Sequence, residues 1–143
     1  MAKRYSVAEY KRDLKNIRLE RLFFVEFNSK LNIDELSESD SISMDSKNSV
    51  QVLENNEDNS FAIIDKYIFT GTSKKKQVLE ISMKIMAVFE YEKELSNDFF
   101  KKFENNVLKL ITYPYVRQAV QDITQKMGLP PLVLPIWTTV VKS

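Results

Sequence analysis

The spacing of apolar and polar residues changes several times along the chain, and each change marks an element. Ser6-Val7-Ala8-Glu9 has the S-x-x-E form of a capping box, and Val7, Tyr10 and Leu14 follow at i, i+3, i+7, the spacing of one helical face. A short helix within residues 1–16 is predicted. From Ile17 the period falls to two: Ile17, Leu19, Phe23, Val25 and Phe27 alternate with Arg18, Glu20, Phe24, Glu26 and Asn28, with Arg21 interrupting the apolar side. That alternation predicts a strand. Phe61 to Thr70 is apolar on both parities, with Phe61, Ile63, Tyr67 and Phe69 on one and Ala62, Ile64 and Ile68 on the other, so it needs cover on both faces. Gly71-Thr72-Ser73-Lys74-Lys75-Lys76 reads as a turn. Beyond it Leu79, Ile81, Met83, Ile85, Ala87, Phe89 and Tyr91 alternate with Val78, Glu80, Ser82, Lys84, Met86, Val88 and Glu90. The two segments predict a long antiparallel hairpin with three lysines at its tip, where they favour solubility and protect the edge.

After the hairpin the pattern is helical. Ser96 or Asn97 can cap, and Phe99, Phe103, Val107 and Ile111 recur at i+4 with Phe100 and Leu108 beside them. Pro114 lacks the amide for an internal bond, so a kink or restart is expected there. Val116, Ala119, Val120, Ile123 and Met127 then lead to Gly128, placed as a C′ residue, and Pro130-Pro131 forbids continuation. Residues 34–58 carry eight acids against the single base Lys47 and are rich in Ser and Asn, so most of that stretch is expected to be loop around a short strand at 49–53.

The order helix, four strands, kinked helix pair gives an α+β fold, a four-stranded antiparallel sheet covered on one face by helices. A single domain over 1–143 is expected: an N-terminal helix in 1–16, a sheet in 17–92 with an acidic loop at 30–58, a kinked helix in 96–128 and an apolar tail in 129–143.

Composition removes most chemistries. The 143 residues include no Cys and no His, which excludes disulfides, thiol nucleophiles, imidazole bases and nearly every zinc or haem site. With only two glycines, Gly71 and Gly128, neither a phosphate-cradling loop nor a dinucleotide-binding turn can be written. Carboxylate, Lys, Ser or Tyr chemistry is left, and no spacing points to it. No enzymatic activity, cofactor or metal is expected. Lys plus Arg number 21 against 20 Asp plus Glu, so no basic surface for nucleic acid is expected. No window approaches the roughly 18 consecutive apolar residues of a membrane span, and charges stand where a signal peptide would be apolar. A cytoplasmic protein is the expectation, with no membrane insertion.

The apolar residues exceed what one helical layer can cover. Leu22, Phe24, Met86 and Val88 lie on nominally polar parities, and the segment from Phe61 is apolar on both. Surface of that kind marks an oligomer interface or a binding surface for apolar ligands, so self-association is expected. Met44, Met83, Met86 and Met127 read as ordinary core packing.

The stretch Tyr113-Pro114-Tyr115-Val116-Arg117-Gln118-Ala119-Val120-Gln121-Asp122-Ile123-Thr124, followed by Met127-Gly128-Leu129-Pro130-Pro131-Leu132-Val133-Leu134-Pro135, closely resembles the late helix and proline turn of SecB. The order of preceding strands is similar too, so the resemblance spans about residues 17–137. It implies an ATP-independent holdase, in which a four-stranded sheet carries a long kinked helix and the subunits form a homotetramer, a dimer of dimers with helices between two outer sheets. The partners implied are unfolded polypeptide or preprotein clients and the export motor SecA. The resemblance places client-groove positions at Val50 and Val52 after the acidic loop, at Leu79, Met83 and Ile85 on the long hairpin strand, and at Trp137 in the exit segment. Arg117 is expected to pin helix and loop carbonyls.

Two features depart from the family pattern. SecB continues past the proline exit with an Asn-Phe-x-x-Leu segment and a further helix, whereas this chain reaches Ile136-Trp137 and stops at Ser143. The family's acidic SecA-docking positions are occupied here by Arg21, Val25 and Ser82. Both changes weigh against coupling to the motor and leave the holdase scaffold intact. With the extra N-terminal helix they also resemble SecB-like chaperones dedicated to one client, such as the antitoxin of a toxin-antitoxin system, which is the alternative reading.

Overall fold

A computed structural model describes residues 5–32, 34, 41–55 and 57–129. The chain runs α1 (Val7–Lys15), β1 (Ile17–Leu31), β2 (Ser43–Asn55), β3 (Ser60–Ser73), β4 (Lys76–Tyr91), α2 (Asn97–Asn105) and α3 (Val107–Lys126). The strands form one antiparallel sheet in the order β1-β4-β3-β2, so the hairpin β3-β4 is central and β1 and β2 are its edges.

The helix ends follow their local chemistry. At α1, Ser6 Oγ accepts from the Glu9 amide at 3.1 Å, and at α2, Ser96 Oγ accepts from Phe99 N at 3.3 Å. At the far end, Gly128 takes φ 78°, Leu129 N donates to Thr124 O at 3.1 Å and Gly128 N to Gln125 O at 3.0 Å, the paired bonds of a Schellman stop. Between α1 and β1, Asn16 Oδ1 accepts from Glu92 N (3.0 Å) and Lys93 N (3.1 Å), which fastens this junction to the end of β4.

One face of the hairpin is the core. Phe61, Ile63, Tyr67 and Phe69 of β3 and Leu79 to Tyr91 at alternate positions of β4 are buried beneath α2 and α3. Phe61 stacks on Phe89 with centroids 5.0 Å apart, and Phe100 and Phe103 meet Phe61 edge-on. Tyr10 of α1 joins them against Phe99 at 5.8 Å, so the N-terminal helix also lies on the helical side. Burying each such ring contributes about 2–3 kcal/mol.

Four expectations are corrected. The strand expected at 49–53 extends over Ser43–Asn55, because thirteen consecutive residues pair with β3 without a register shift, and pairing supplies what the polar sequence lacks. Gly71 is not in the turn but inside β3, where a Cβ would lie 2.9 Å from Ile42 Cγ2 and from Leu79 Cβ. The turn itself is Lys74-Lys75, both at positive φ (49° and 66°). The helix pair breaks at Asn106 (φ −120°, ψ −88°), while Pro114 sits inside α3. Its missing amide frees the Leu110 carbonyl, and Leu110 is on the solvent side of α3, where water can satisfy it.

The last correction concerns β1. Bulges between Leu19 and Arg21 and between Phe24 and Glu26 shift the parity, so Leu19, Leu22, Phe24 and Phe27 share the helix-side face, opposite Phe89, Ala87, Ile85 and Met83. Phe23, opposite Met86, is on the outer face. A one-residue slip exchanges the faces of a strand, and two bulges confine the exchange to its middle.

Candidate interaction surfaces

Helices α2 and α3 lie over the central hairpin, and both margins of the sheet extend past them. On β1 the helix-side positions Leu19, Phe24 and Phe27 are exposed, with Phe24 and Phe27 in edge-to-face contact at 6.2 Å. On β2 the corresponding positions Met44, Val50 and Val52 are half-buried against the core clusters. Among the described residues neither strand has a partner on its outer edge, so each margin joins apolar side chains to open backbone groups. The solvent side of α3 adds Leu110 and Tyr115, exposed on either side of Pro114.

Sequence-expected client positions fall into three groups. Val50 and Val52 lie on the β2 margin and remain partly accessible. Leu79, Met83 and Ile85 are 2%, 1% and 1% exposed beneath α3, so a client would reach them only if that helix lifted. In this arrangement they are core residues, because the inward parity of β4 points into the helix layer. Trp137 lies outside the described residues.

A buried polar cluster tethers the β2 margin, and nothing in the sequence pattern announced it. Asp65, fully buried on β3, accepts at Oδ1 from Lys109 Nζ (2.6 Å) and Asn48 Nδ2 (2.6 Å), and at Oδ2 from Thr112 Oγ1 (2.7 Å). Lys109 Nζ also donates to Asn48 Oδ1 at 2.5 Å and stands 5.0 Å from the centroid of Tyr67. Asn48 Nδ2 reaches the Lys66 carbonyl at 2.9 Å, so the edge strand is bound to β3 and α3 through one side chain. Burial lowers the Lys109 pKa, and the bond and charge of Asp65 oppose that shift. Burial, then the Asp65 charge, raises that of the Tyr67 hydroxyl. The cluster separates two apolar clusters, with Ile63 and Leu108 on one side and Tyr67 and Tyr113 on the other.

Lys109 is the one lysine with a lowered pKa among the described residues, and its amine is buried and bonded to both Asp65 and Asn48. Among those residues no group of three or more Asp or Glu is placed to hold a metal ion, and no helix is long and apolar enough to cross a membrane.

Comparison with known proteins places the fold. The structure superposes on Rv1957, a SecB-like chaperone of Mycobacterium tuberculosis solved in complex with a ChAD peptide from the Rv1956 HigA1 antitoxin, with a TM-score of 0.77 and 17% sequence identity. The match covers 89% of this chain and 95% of that one. A protein of unknown function from Streptococcus agalactiae aligns at a TM-score of 0.44 and 13% identity over 84% of this chain and 97% of that one, too distant to carry an argument. No protein-family model and no curated protein matches the chain by sequence. The chain therefore has the SecB-like fold: a four-stranded antiparallel sheet, a broken C-terminal helix pair and a short N-terminal helix.

Proposed function

We propose that this protein is a cytoplasmic, ATP-independent holdase that binds unfolded polypeptides or preproteins and has no catalytic role. The observation that carries the reading is the β2 margin, where Met44, Val50 and Val52 border a strand edge with no partner among the described residues and the Asp65 cluster holds that edge in place. An extended client can set alternate side chains against such a margin and pair its backbone with the edge, which gives affinity with little sequence demand. Trp137 completes the proposed client set with Val50 and Val52. Likeness of fold to a SecB-like chaperone supports the reading.

The β1 margin and the outer side of α3 are assigned to self-association. They are two separate apolar surfaces, and two different isologous contacts generate a tetramer that is a dimer of dimers. SecA is left out of the proposal, since its docking positions in the resemblance carry Arg21, Val25 and Ser82. Hydrogen exchange with and without a permanently unfolded probe, reduced and carboxymethylated α-lactalbumin, tests the client assignment. Protection should rise along Ser43–Asn55. Protection confined to other strands would remove β2 from the client surface.

A second reading, a chaperone dedicated to one client such as an antitoxin, is favoured by one finding: the structural neighbour was solved with a peptide from an antitoxin. On that reading the same margin binds one partner's segment tightly and leaves unrelated unfolded proteins to aggregate.

A further inference from the structure

The outer face of the sheet, opposite the helices, carries an apolar island bordered by three lysines, two of which have no carboxylate partner among the described residues. Cross-strand pairing aligns Phe23 with Met86 and Met86 with Ile64, and in the next row Val88 with Ala62 and Ala62 with Leu53. The island therefore crosses all four strands, and it stays open at both margins, where Phe23 is 38% and Leu53 42% exposed. On one side it is bordered by lysines. Lys84 of β4 is directly opposite Lys66 of β3, and Lys47 of β2 is opposite Ile68 one row further. Like charges placed directly opposite on a sheet repel each other, and the Glu26 carboxylate 3.5 Å from Lys84 offsets part of that repulsion.

The acids of the face neutralise one of the three lysines beside the island and leave the other two. Glu90 pairs with Arg18, Glu26 pairs with Lys84 at 3.5 Å, and Glu80 and Asp45 lie in the row of Lys30 and Thr70, away from the island. Among the described residues Lys66 and Lys47 have no carboxylate partner, and Arg21 rests over the Phe23 ring at 5.3 Å. An anion laid along these rows would pair with Lys66 and Lys47 while its apolar neighbours covered the island.

We infer that this outer face docks an acidic amphipathic helix of a partner protein. Central strands offer no free backbone groups, so the occupant must bind through side chains, and a helix is how a sheet face is commonly covered. Four strands span about 14 Å, the length of roughly ten helical residues. Such a helix would set leucine-like side chains at i, i+3, i+4 and i+7 on Met86, Ile64 and Leu53 and its Glu or Asp flank on Lys66 and Lys47. The site is on the face opposite the proposed client margin and stands independently of that reading.

The test uses the full chain and a fluorescein-labelled 18-residue helical peptide with a leucine stripe and glutamate flanks, compared by anisotropy with the same peptide carrying lysine flanks. The acidic peptide should bind, and more weakly as salt rises. Lys66→Glu should weaken it at least tenfold and shift preference to the basic peptide, while capture of carboxymethylated α-lactalbumin is unchanged. That variant replaces a like-charge pair with an attractive one, so the fold is kept. Equal binding of both peptides, indifference to Lys66→Glu, or displacement of the acidic peptide by α-lactalbumin would overturn the inference. So would a change of oligomeric mass in Lys66→Glu, which would assign the face to a second copy.

Discussion

Replacing Asp65 with alanine removes the acceptor of three donors, the buried Lys109 and Thr112 and the more exposed Asn48. Thr112 loses least, because its hydroxyl can turn to the Leu108 carbonyl 3.1 Å away. Lys109 is 4% exposed and would keep only Asn48 Oδ1. Removing one partner of a buried ion pair costs about 3–5 kcal/mol, because the other charge is left without compensation. Against a total of about 5–15 kcal/mol for a domain of this size that is a large fraction. It corresponds to a fall in Tm of about 6–20 °C. Urea unfolding at fixed protein concentration measures the loss, and hydrogen exchange locates it, with the β2 amides around Asn48 exchanging faster than those of β4. The double variant Asp65→Leu, Lys109→Met should recover most of the stability, since a well-packed apolar pair is about as stable as a buried ion pair or up to about 4 kcal/mol better. A loss below about 1 kcal/mol for Asp65→Ala, or a double variant as unstable as the two singles added, would refute the tethering role of the cluster.

Other outcomes follow from backbone and titration. Gly71→Ala should cost about 1–3 kcal/mol in urea unfolding, because its Cβ would meet the Leu79 Cβ at 2.9 Å on the neighbouring strand. Lys74→Asn with Lys75→Gly should stabilise by about 1–2 kcal/mol, since both lysines hold positive φ in the β3-β4 turn and Asn-Gly adopts that conformation readily. Burial raises the hydroxyl pKa of Tyr5, Tyr10, Tyr67 and Tyr113 above the ordinary 10.0. The unfolded chain releases these protons first, so their contribution is complete below pH 10 and is lost as pH rises through the folded values. Absorbance at 295 nm should show delayed tyrosine ionisation that appears together with loss of circular dichroism, and Tyr67→Phe should reduce the alkaline sensitivity.

The architecture was legible in the sequence where one face of an element is buried. The alternation from Leu79 to Tyr91, the Ser6 and Ser96 caps and the Gly128 stop are local patterns with a single structural meaning, and each forms as expected. β2 was legible only at its apolar centre, because a strand rich in Ser, Asn and acids is specified by its neighbour's edge and not by its own pattern. In β1 the bulges at Glu20 and Val25 broke the two-residue period that parity reading depends on, which put Phe23 and Phe24 on each other's faces. The site was less legible than the fold. Leu79, Met83 and Ile85 satisfy an apolar pattern equally well as groove or core, and only the position of α3 shows that they are covered. The Asp65 cluster joins residues 17 to 61 positions apart in the chain, beyond the reach of any local spacing.

The central claim is that this fold holds unfolded chains without energy input, and suppression of light scattering tests it most directly. A chemically unfolded, aggregation-prone enzyme is diluted into buffer with and without this protein, at matched subunit concentration and with no ATP. The account predicts that scattering falls in proportion to the protein added, reaches a plateau, and does not change when ATP is supplied. A folded, monodisperse preparation that leaves scattering untouched would contradict the general holdase.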